Sequence, residues 1–300
     1  MRYISVLLSD AKSISVANEQ LKIVKDTNEF RYPLEDVNVV ILEKHFLSIS
    51  SYTLYKFAEH GIACIICDQK HLPNGILMPY NTHFKKPEVL KLQIEAPKPL
   101  QKRMWQALIK QKILNQSKCL LYSNKNGAFD LEECKKNVQS GDALNMEAVA
   151  ARKYFGYLLG SNFSREQENF KNSALNYAYS IVRGAICRSL AAYGFEPCLG
   201  VGHKSMLNAF NLADDIMEPF RAICDLLVMN IEECEDGILK PMHKQKLVQI
   251  LQVSCKVEDE IVSVSYAIEK CISSFKRSLE NKEEVLVLPE LIELKIQRYE

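Results

Sequence analysis

The stretch Gly200-Val-Gly-His-Lys-Ser-Met-Leu-Asn-Ala-Phe-Asn-Leu-Ala-Asp-Asp-Ile-Met-Glu-Pro-Phe-Arg221 decides how the rest of the chain is interpreted. It places one histidine, His203, beside glycines on a turn and then continues with helical periodicity. Asp214 and Glu218 are four residues apart, so they share one face of the predicted helix. Carboxylates among leucine, isoleucine, methionine and phenylalanine cost free energy unless a cation or hydrogen bonds compensate them. The stretch therefore predicts a buried charged site.

Pro219 directly follows Glu218 inside this predicted helix. Proline has no N–H to donate, and its ring clashes with the preceding turn. We therefore expect a kink that frees the carbonyl of Asp215 and opens room for a metal ion or a water molecule. Arg221 and Asp225 continue the charged face of the helix at the next two turns.

Glu147 is a further carboxylate in apolar surroundings, on a predicted helix from Ala143 to Leu159 that is apolar nearly all round. One explanation pairs it with Arg152 or another arginine. The other makes it a metal ligand in a set that also contains His203 and Glu218, with Asp214 or Asp215 nearby. Two carboxylates and one imidazole suit Mg²⁺ or Mn²⁺. Spacing alone leaves both explanations open, because a single histidine after glycines is more often structural than catalytic.

Charge is distributed unevenly along the chain. The 300 residues carry a net charge of +1, and 47% of them are hydrophobic, which is enough for a large core and argues against disorder. Between Lys85 and Lys125, however, ten basic residues face only two glutamates, a local net charge of +8. Such a stretch is typical of a surface that binds a polyanion, or of a solvated lysine-rich helix face. The stretch alone does not separate these two interpretations.

The ten cysteines follow no ligand pattern. Cys64 and Cys67 form a CxxC motif, but they lie in a predicted strand whose alternation sends the two sulfurs to opposite faces. Zinc binding and redox chemistry are therefore disfavoured, and unpatterned thiols indicate a reducing compartment such as the cytoplasm. The apolar run at the N-terminus is too short for a signal peptide, and no stretch reaches transmembrane length.

The pattern predicts an α+β fold with a small, mostly antiparallel, sandwich-like β domain over residues 1–85. Strands are expected at Tyr3–Leu8, Leu21–Val24, Val37–Leu42, Ile62–Cys67 and Ile76–Met78. Leu72-Pro-Asn-Gly75 is typical of a turn. One helix is expected here, capped by Ser50 or Ser51 and ending before Gly61.

Prolines at 79, 87, 97 and 99 predict a linker, assigned to residues 86–99. An all-α catalytic domain is expected over residues 100–300. Its first helix begins at Leu100, and Asp142 and Ser173 are expected to cap two others. The remaining expected helices and their bounds are Ala143–Leu159, Ala174–Tyr193, about Asn211–Met229, Lys244–Ser254 and Asp259–Leu279.

Four separated motifs in this order resemble the CRISPR adaptation integrase family, the proteins that insert new spacers. The matching residues are Glu147-Ala-Val-Ala-Ala-Arg-Lys-Tyr-Phe155, Ala174-Leu-Asn-Tyr-Ala-Tyr179, Gly194 through Gly200 with His203 and Asn208, and Leu212 through Arg221 with Asp225. Trp105 and Lys112-Ile-Leu-Asn-Gln116 are similar to the start of the family's helical domain. The resemblance covers almost the whole chain and is greatest to the type II systems. The chain departs from the family at Ala222, where proline is common.

The resemblance implies a metal-dependent DNA integrase and endonuclease. Glu147, His203 and Glu218 match the family's catalytic ligands for Mg²⁺ or Mn²⁺, and Asp214 or Asp215 matches a supporting acid. In the family's reaction, a DNA 3′-hydroxyl attacks a phosphodiester at the repeat boundary without a covalent enzyme intermediate, and family members also cut branched DNA. The cations expected to bind DNA, from the basic stretch and from the site, are Lys102, Arg103, Lys110, Arg152, Lys204 and Arg221.

The family also implies partners. Its members dimerise through the N-terminal domain, and two dimers flank a dimer of a small ferredoxin-like protein in a heterohexamer. Double-stranded DNA and other type II CRISPR proteins are the remaining expected partners, in a prokaryotic cytoplasm and without membrane association. Two alternatives are compatible with the same residues: a related metal-dependent nuclease that cuts but does not join, and a non-enzymatic DNA-binding scaffold.

Overall fold

The computed structural model describes residues 4–69, 73–77, 85–234 and 236–297. Its first sheet has four strands in the order β1-β5-β6-β7, with bounds Ile4–Leu8, Val37–Leu42, Ala63–Cys67 and Pro73–Leu77. The first three strands are parallel, and β7 runs antiparallel to β6. Helix α1, Ser51–Glu59, provides the crossover that the parallel pair β5 and β6 requires. Ser50 caps it, since its hydroxyl accepts the N–H of Thr53 at 3.1 Å.

A second sheet is antiparallel and has the order β2-β3-β4, with bounds Ser13–Ala17, Gln20–Lys25 and Asn28–Pro33. Asn18 and Glu19 form a two-residue hairpin turn with φ of 51° and 57°, the positive values that suit the twist of a hairpin. A 3-10 turn, Leu34–Asp36, leads from this sheet into β5.

One apolar core lies between these two sheets and α1, and it includes Val6, Ile14, Leu21, Val40 and Phe57. The prediction of a small sandwich-like β domain within an α+β fold is confirmed. The prediction that its strands are mostly antiparallel is wrong for the four-stranded sheet, because α1 connects two parallel strands. The turn expected at 72–75 is also wrong over 73–75, which lie in β7, while Leu72 and Met78 lie outside the described residues.

Nine helices follow in the described part of the chain. Their bounds are α2 Lys86–Ile94, α3 Lys98–Tyr122, α4 Ala128–Lys136, α5 Met146–Leu159, α6 Phe170–Ala192, α7 Asn211–Met217, α8 Arg221–Met229, α9 Pro241–Val248 and α10 Val264–Asn281. The range 86–99 thus contains a helix whose Val89 is buried. Over the residues that the structure describes, no helix is both long and apolar enough to cross a membrane.

Two expected helix caps differ from the sequence prediction. Asn169, not Ser173, caps α6, because its side chain accepts the N–H of Asn172 at 2.8 Å. Asn145 occupies the cap of α5 with φ of 51°. Asp142 still satisfies the first turn of α5, because its carboxylate accepts the N–H groups of residues 146 and 147 at 2.8 and 3.0 Å.

A third sheet, in the order β10-β8-β9, lies near the end of the chain and contradicts the expected all-α catalytic domain. The three strands are antiparallel, with bounds Glu290–Ile296, Val253–Val257 and Glu260–Ser263. The helix expected over Lys244–Ser254 ends at Val248 and continues as a 3-10 turn to Gln252. The helix expected from Asp259 begins at Val264, because Ser263 caps it by accepting the N–H of Tyr266.

The two cysteines of the CxxC motif confirm the predicted alternation of β6. Cys64 belongs to the core between the N-terminal sheets, and Cys67 belongs to the larger core shared with the helices. Burial raises the pKa of both thiols to about 12. All ten cysteines are free thiols.

Asn115, fully buried in the middle of α3, ties three parts of the helical region together. Its amide nitrogen donates to the carbonyls of Pro219 at 2.7 Å and Pro289 at 2.9 Å. Its side-chain oxygen accepts the N–H of Leu291 at 2.9 Å. One side chain therefore fixes the break between α7 and α8 and the strand β10 against α3.

Replacing Asn115 should destabilise the fold strongly. Asn115→Ala leaves the Pro219 carbonyl and the Leu291 N–H without this partner, which should lower the free energy of unfolding by about 3 kcal/mol in urea denaturation. Asn230→Ala is the matched control, because the exposed Asn230 amide bonds to the carbonyl of Leu226 at the end of its own helix. A loss for Asn115→Ala no larger than that of the control would contradict the prediction.

Candidate active site

The break at Pro219 is a single 3-10 turn, Glu218–Phe220, between α7 and α8. The N–H of Glu218 donates to the carbonyl of Asp215, three residues earlier. The expected free carbonyl at Asp215 is therefore wrong, because the tighter turn supplies the hydrogen bond that proline cannot make. The break instead changes the direction of the chain at Glu218.

Glu218 is a buried carboxylate with two cationic partners and an exposed fraction of 3%. Its Oε1 accepts from Arg221 Nε at 2.9 Å, and its Oε2 lies 2.5 Å from Lys112 Nζ. Burial alone would raise the pKa of Glu218, but the charges of Arg221 and Lys112 more than offset it and lower the pKa to about 2. Glu218 is therefore ionised at neutral pH.

Lys112 connects Glu218 to the predicted metal ligand on α5. Its ammonium, itself buried, also forms a short ion pair with Oε1 of Glu147. One cation thus bridges the two carboxylates, so they lie close together although 71 residues separate them in sequence. The partner of Glu147 is this lysine rather than Arg152 or another arginine, and Arg152 is exposed.

His203 is positioned by the fully buried carboxylate of Asp215. Asp215 accepts the backbone N–H groups of residues 201, 202 and 203 at 2.6, 3.0 and 2.8 Å, and contacts His203 Nδ1 at 2.7 Å. The hydrogen bond to Asp215 raises the pKa of His203 against the opposing effect of burial. A carboxylate at Nδ1 keeps the proton there in the neutral ring, which leaves Nε2 as the free ligand atom.

Two glycines allow the loop to wrap around Asp215. A Cβ on Gly200 would lie 2.4 Å from the carbonyl oxygen of His203 and 2.8 Å from Oδ2 of Asp215. A Cβ on Gly202 would lie 2.2 Å from the Trp105 ring, which also contacts the His203 ring edge-on at a centroid distance of 5.3 Å. Close approach, rather than a left-handed backbone, therefore requires glycine at both positions.

The structure brings the predicted ligands together in part. Glu147 and Glu218 share Lys112, and the charge of Glu218 helps to raise the pKa of His203. The donor atoms of the three residues do not all lie within 4.8 Å of one another. Within the described ranges, the group that meets this distance is in the N-terminal part, and its members are Glu19, Glu59 and His60. There, Lys56 Nζ lies 2.6 Å from a carboxylate oxygen of each glutamate.

An arginine-lined pocket of about 320 Å³ opens beside His203. Arg165, Arg183 and Arg221 line it together with Asp214 and Tyr179. The guanidinium groups of Arg221 and Arg165 lie 5.0 and 5.4 Å from the centroid of the Tyr179 ring. An electropositive pocket of this kind suits the phosphates of a nucleic acid.

Asp214 lines the pocket, and the other predicted cations lie at the surface. Asp214 accepts from the side chain of Asn208 at 2.8 Å, and a carboxylate oxygen lies 3.7 Å from Arg183. Lys204 is exposed, with its Nζ 3.4 Å from the side-chain oxygen of Gln101. The remaining predicted DNA contacts are surface residues of α3 and α5, exposed at Lys102, Arg103 and Arg152 and half-buried at Lys110.

Sequence reasoning missed Lys112, Arg165 and Arg183. Lys112 belongs to the basic stretch and to the motif Lys112–Gln116, but neither predicts its role at the site. Its spacing from Met104, Leu108 and Ile109 places it on the apolar side of α3. A lysine on an apolar helix face needs a buried anion, and that was the available signal. Arg165 and Arg183 carry no comparable signal, because no sequence pattern links them to His203.

Asp225 is a further buried carboxylate, and its partner Tyr179 lines the pocket. Its two oxygens accept the hydroxyls of Tyr154, at 2.8 Å, and Tyr179. Burial raises the pKa of Asp225 to about 6, although the hydroxyls and the charges of Arg165 and Arg221 act in the opposite direction. Tyr179 therefore connects this carboxylate to the arginines that line the pocket.

Residues 6–246 match the family described as "CRISPR associated protein Cas1". The chain is 39% identical to the CRISPR-associated endonuclease Cas1 of Neisseria meningitidis, and the alignment covers 100% of both proteins. The chain belongs to the Cas1 family. The resemblance to the CRISPR adaptation integrase family is thereby confirmed.

A further Cas1 relative agrees with this assignment, and solved structures share the fold. A Cas1 endonuclease of Francisella tularensis is 28% identical over 70% of this chain and 73% of its own. The fold is similar to a casposase bound to an integration product, with a TM-score of 0.79, 19% identity and coverage of 100% and 97%. It is also similar to a Cas1 protein from Thermotoga maritima, with a TM-score of 0.73, 17% identity and coverage of 94% and 99%.

The buried Asp225 predicts a pH-dependent difference in stability. Its pKa is about 6 in the folded chain and near the ordinary 3.8 when unfolded, so the folded state holds the proton more tightly. The contribution of Asp225 to the free energy of unfolding is therefore complete below the unfolded-state pKa of 3.8. This contribution is lost as the pH rises to about 6. Besides its two tyrosine partners, the titratable or charged groups that interact with Asp225 are Cys119, Cys224, Arg165 and Arg221.

Asp225→Asn should remove this pH dependence. Between about pH 4 and pH 6, the free energy of unfolding of the wild type should fall by about 3 kcal/mol relative to the variant, and the difference should then stay constant. Urea denaturation at a series of pH values measures it. If the difference in the free energy of unfolding between wild type and variant did not change with pH, Asp225 would have the same pKa in the folded and unfolded states.

Proposed function

We propose that this chain is a divalent-metal-dependent DNA integrase and endonuclease of CRISPR adaptation. It joins the 3′-hydroxyl ends of a short DNA to the repeat of a CRISPR array by transesterification. The observation that carries the proposal is the pair of carboxylates, Glu147 and Glu218, held around one cation beside an oriented imidazole and an arginine-lined pocket. Family membership supports the same activity, because the relatives are named Cas1 endonucleases.

The donor set fits Mg²⁺ or Mn²⁺. Glu147 and Glu218 supply carboxylate oxygens that already share one positive charge, and His203 supplies a free Nε2. Hard oxygen donors with one imidazole suit these ions. When bound, such an ion polarises a phosphate and activates a hydroxyl. The proposed catalytic residues are therefore also the proposed metal ligands.

The remaining residues of the site bind and orient. Arg165, Arg183 and Arg221 face one pocket, where they would hold phosphates and neutralise the charge that develops on phosphorus oxygens. Asp215 keeps the proton on Nδ1 of His203 and fixes the ring. In this proposal the attacking group is the DNA hydroxyl, so the protein contributes position and charge rather than a nucleophile.

The surface cations would bind the part of the DNA that lies outside the pocket. Lys102, Arg103 and Lys110 share α3 with Lys112, and Lys204 adjoins His203. Together with Arg152 on α5, they would bind the phosphate backbone without reading its sequence.

We further propose the assembly implied by the family. The chain would dimerise through residues 1–85, followed by a linker over residues 86–99 and a catalytic domain over residues 100–300. Two dimers would flank a dimer of a small ferredoxin-like partner. Similarity to a chain of a Cas6-RT-Cas1–Cas2 complex, with a TM-score of 0.73, 18% identity and coverage of 97% and 36%, supports a second Cas protein as the partner.

A nuclease without joining activity is the second candidate, favoured by the name endonuclease that the relatives carry. The two functions separate in one experiment. A short duplex with free 3′-hydroxyls is incubated with a supercoiled plasmid that carries a repeat, in Mg²⁺ and in Mn²⁺. We expect joined product, and blocking the 3′ ends should abolish it while hydrolysis continues.

Ligand variants should lose this activity. Glu147→Gln, His203→Ala and Glu218→Gln should each reduce joining by about 100-fold or more, because each removes a donor to the activating ion. Glu59→Gln is the matched control, since Glu59 belongs with Glu19 and His60 to the acidic group in the described N-terminal part. Joining by Glu147→Gln at the rate of the control would refute the assignment, and cleavage without joining in the wild type would favour the nuclease.

Lys112 should compete with the divalent ion for the two carboxylates. Lys112→Met removes the bridging ammonium, so in EDTA the free energy of unfolding should fall by about 3 kcal/mol. Added Mn²⁺ should then raise the melting temperature of the variant more than that of the wild type, because binding a ligand stabilises the folded state. Thermal denaturation over a range of Mn²⁺ concentrations measures both effects.

Lys118→Met is the control for Lys112→Met. Lys118 is on the same helix and pairs with Glu290 at a more exposed position. Its replacement should leave the response to Mn²⁺ unchanged. An equal response to Mn²⁺ in all three proteins would show that Lys112 does not occupy the metal position.

A further inference from the structure

The three arginines of the arginine-lined pocket differ in how the protein compensates their charge. Nε of Arg221 lies 2.9 Å from a carboxylate oxygen of Glu218, and a terminal nitrogen of Arg183 lies 3.7 Å from a carboxylate oxygen of Asp214. Arg165 has other partners. Among the residues that the structure describes, no carboxylate lies within ion-pair distance of its guanidinium. Arg165 therefore keeps a positive charge that the other two arginines share with an acid.

Two asparagines of α6 contact Arg165 where a carboxylate would otherwise be expected. Nη1 and Nη2 of Arg165 donate to the side-chain oxygens of Asn172 and Asn176, each at 2.6 Å. The nearby Glu166 and Glu168 are exposed and line a neighbouring cavity rather than this pocket. An amide oxygen accepts a hydrogen bond but carries no net charge. The two asparagines thus fix the guanidinium without neutralising it.

The amide of Asn172 has its own orientation fixed. Asn172 is buried, and its amide nitrogen donates to the carbonyls of Ser164 and Gln167, each at 2.8 Å. These two carbonyls occupy the donor side of the amide, so its oxygen must point to Arg165. One buried side chain therefore joins the loop that carries Arg165 to the first turn of α6.

Aromatic rings hold the same guanidinium from other directions. It lies 5.4 Å from the centroid of the Tyr179 ring and 5.9 Å from that of the Phe155 ring. Ring faces attract a cation without adding a negative charge. The Arg165 charge does act on the buried Asp225, but that carboxylate is bonded to the hydroxyls of Tyr179 and another tyrosine. Amides and rings thus position Arg165 and leave its charge available to a ligand in the pocket.

We propose that Arg165 binds the phosphate that is attacked in strand transfer, and that Asn172 and Asn176 are positioning residues that keep its guanidinium fixed and uncompensated. This inference rests on the proposed function. Negative charge develops on the phosphate oxygens in the transition state, and a preorganised cation stabilises it without first giving up another partner. Arg183 and Arg221 already share their charge with carboxylates, so each contributes less than Arg165.

A substitution at Asn176 separates the charge of Arg165 from its position. Asn176 is exposed, and Asn176→Asp keeps the shape of the side chain, so the guanidinium stays in place but is now paired with a carboxylate. Arg165→Met removes the cation, and Arg165→Lys keeps the charge without the planar fork. Asn162→Asp is the matched control, because it adds the same charge at an exposed position three residues before Arg165, outside the pocket lining.

Joining is measured in single turnovers with protein in excess, so that the rate reports the chemical step rather than DNA binding. Asn176→Asp and Arg165→Met should each lower this rate by about 10- to 100-fold, because each removes the free cation. Arg165→Lys should retain more activity than Arg165→Met, and Asn162→Asp should change the rate by less than about 2-fold. The melting temperature of Asn176→Asp should equal or exceed that of the wild type, because an ion pair replaces a neutral contact.

DNA binding over a range of KCl concentrations gives a second measurement. The probe is a fluorescently labelled short duplex with single-stranded 3′ ends. Losing one phosphate contact should reduce the slope of log Kd against log salt concentration by about 0.9 in Asn176→Asp and in Arg165→Met. The slope for Asn162→Asp should remain that of the wild type.

The rate of Asn176→Asp decides the proposal. If the asparagines only hold the loop together, this variant should join DNA as fast as Asn162→Asp, since the guanidinium is still fixed, and that result would overturn the proposal whatever the salt slope. A wild type that neither joins nor cuts DNA would instead reject the proposed function. The salt slope alone would then decide whether Arg165 binds a phosphate, and an unchanged slope would exclude it.

Discussion

The charge of Glu218 inside the helical core is the constraint on which the rest of the site depends. A carboxylate with an exposed fraction of 3% requires positive partners, and the chain supplies Arg221 from the next turn and Lys112 from α3. Lys112 then needs a second anion, which Glu147 provides from α5. Three helical segments are thus placed relative to one another by charge neutralisation as well as by apolar packing.

The same principle explains the loop before α7. Asp215 is fully buried and is compensated by three backbone N–H groups and one imidazole. Because these four donors all point at its two oxygens, the carboxylate determines the path of the glycine loop and the orientation of His203. Loop and helix therefore form one unit, in which the position of the imidazole follows from the helix that supplies Asp215.

Much of this arrangement could be predicted from sequence, and the failures have physical causes. Helical periodicity and apolar runs located α3, α5, α6 and the strands β1, β3, β5 and β6. Strand β2 escaped because its Ser13–Ala17 pattern is short and half polar, and β8 escaped because Val253–Val257 directly follows a helix without a proline or glycine between them. The role of Lys112 depends on two anions from other segments, so no local pattern contains it.

The strand β6 has both faces in apolar cores, one between the N-terminal sheets and one shared with the helices. The four-stranded sheet therefore contributes side chains to both apolar cores. If the gene were divided between the N-terminal sheets and the helices, each product would expose an apolar surface to water. Recombination between distant relatives would have to exchange both sides of the four-stranded sheet together. Evolution can therefore exchange the N-terminal sheets or the helices only between relatives whose surfaces fit each other across the four-stranded sheet.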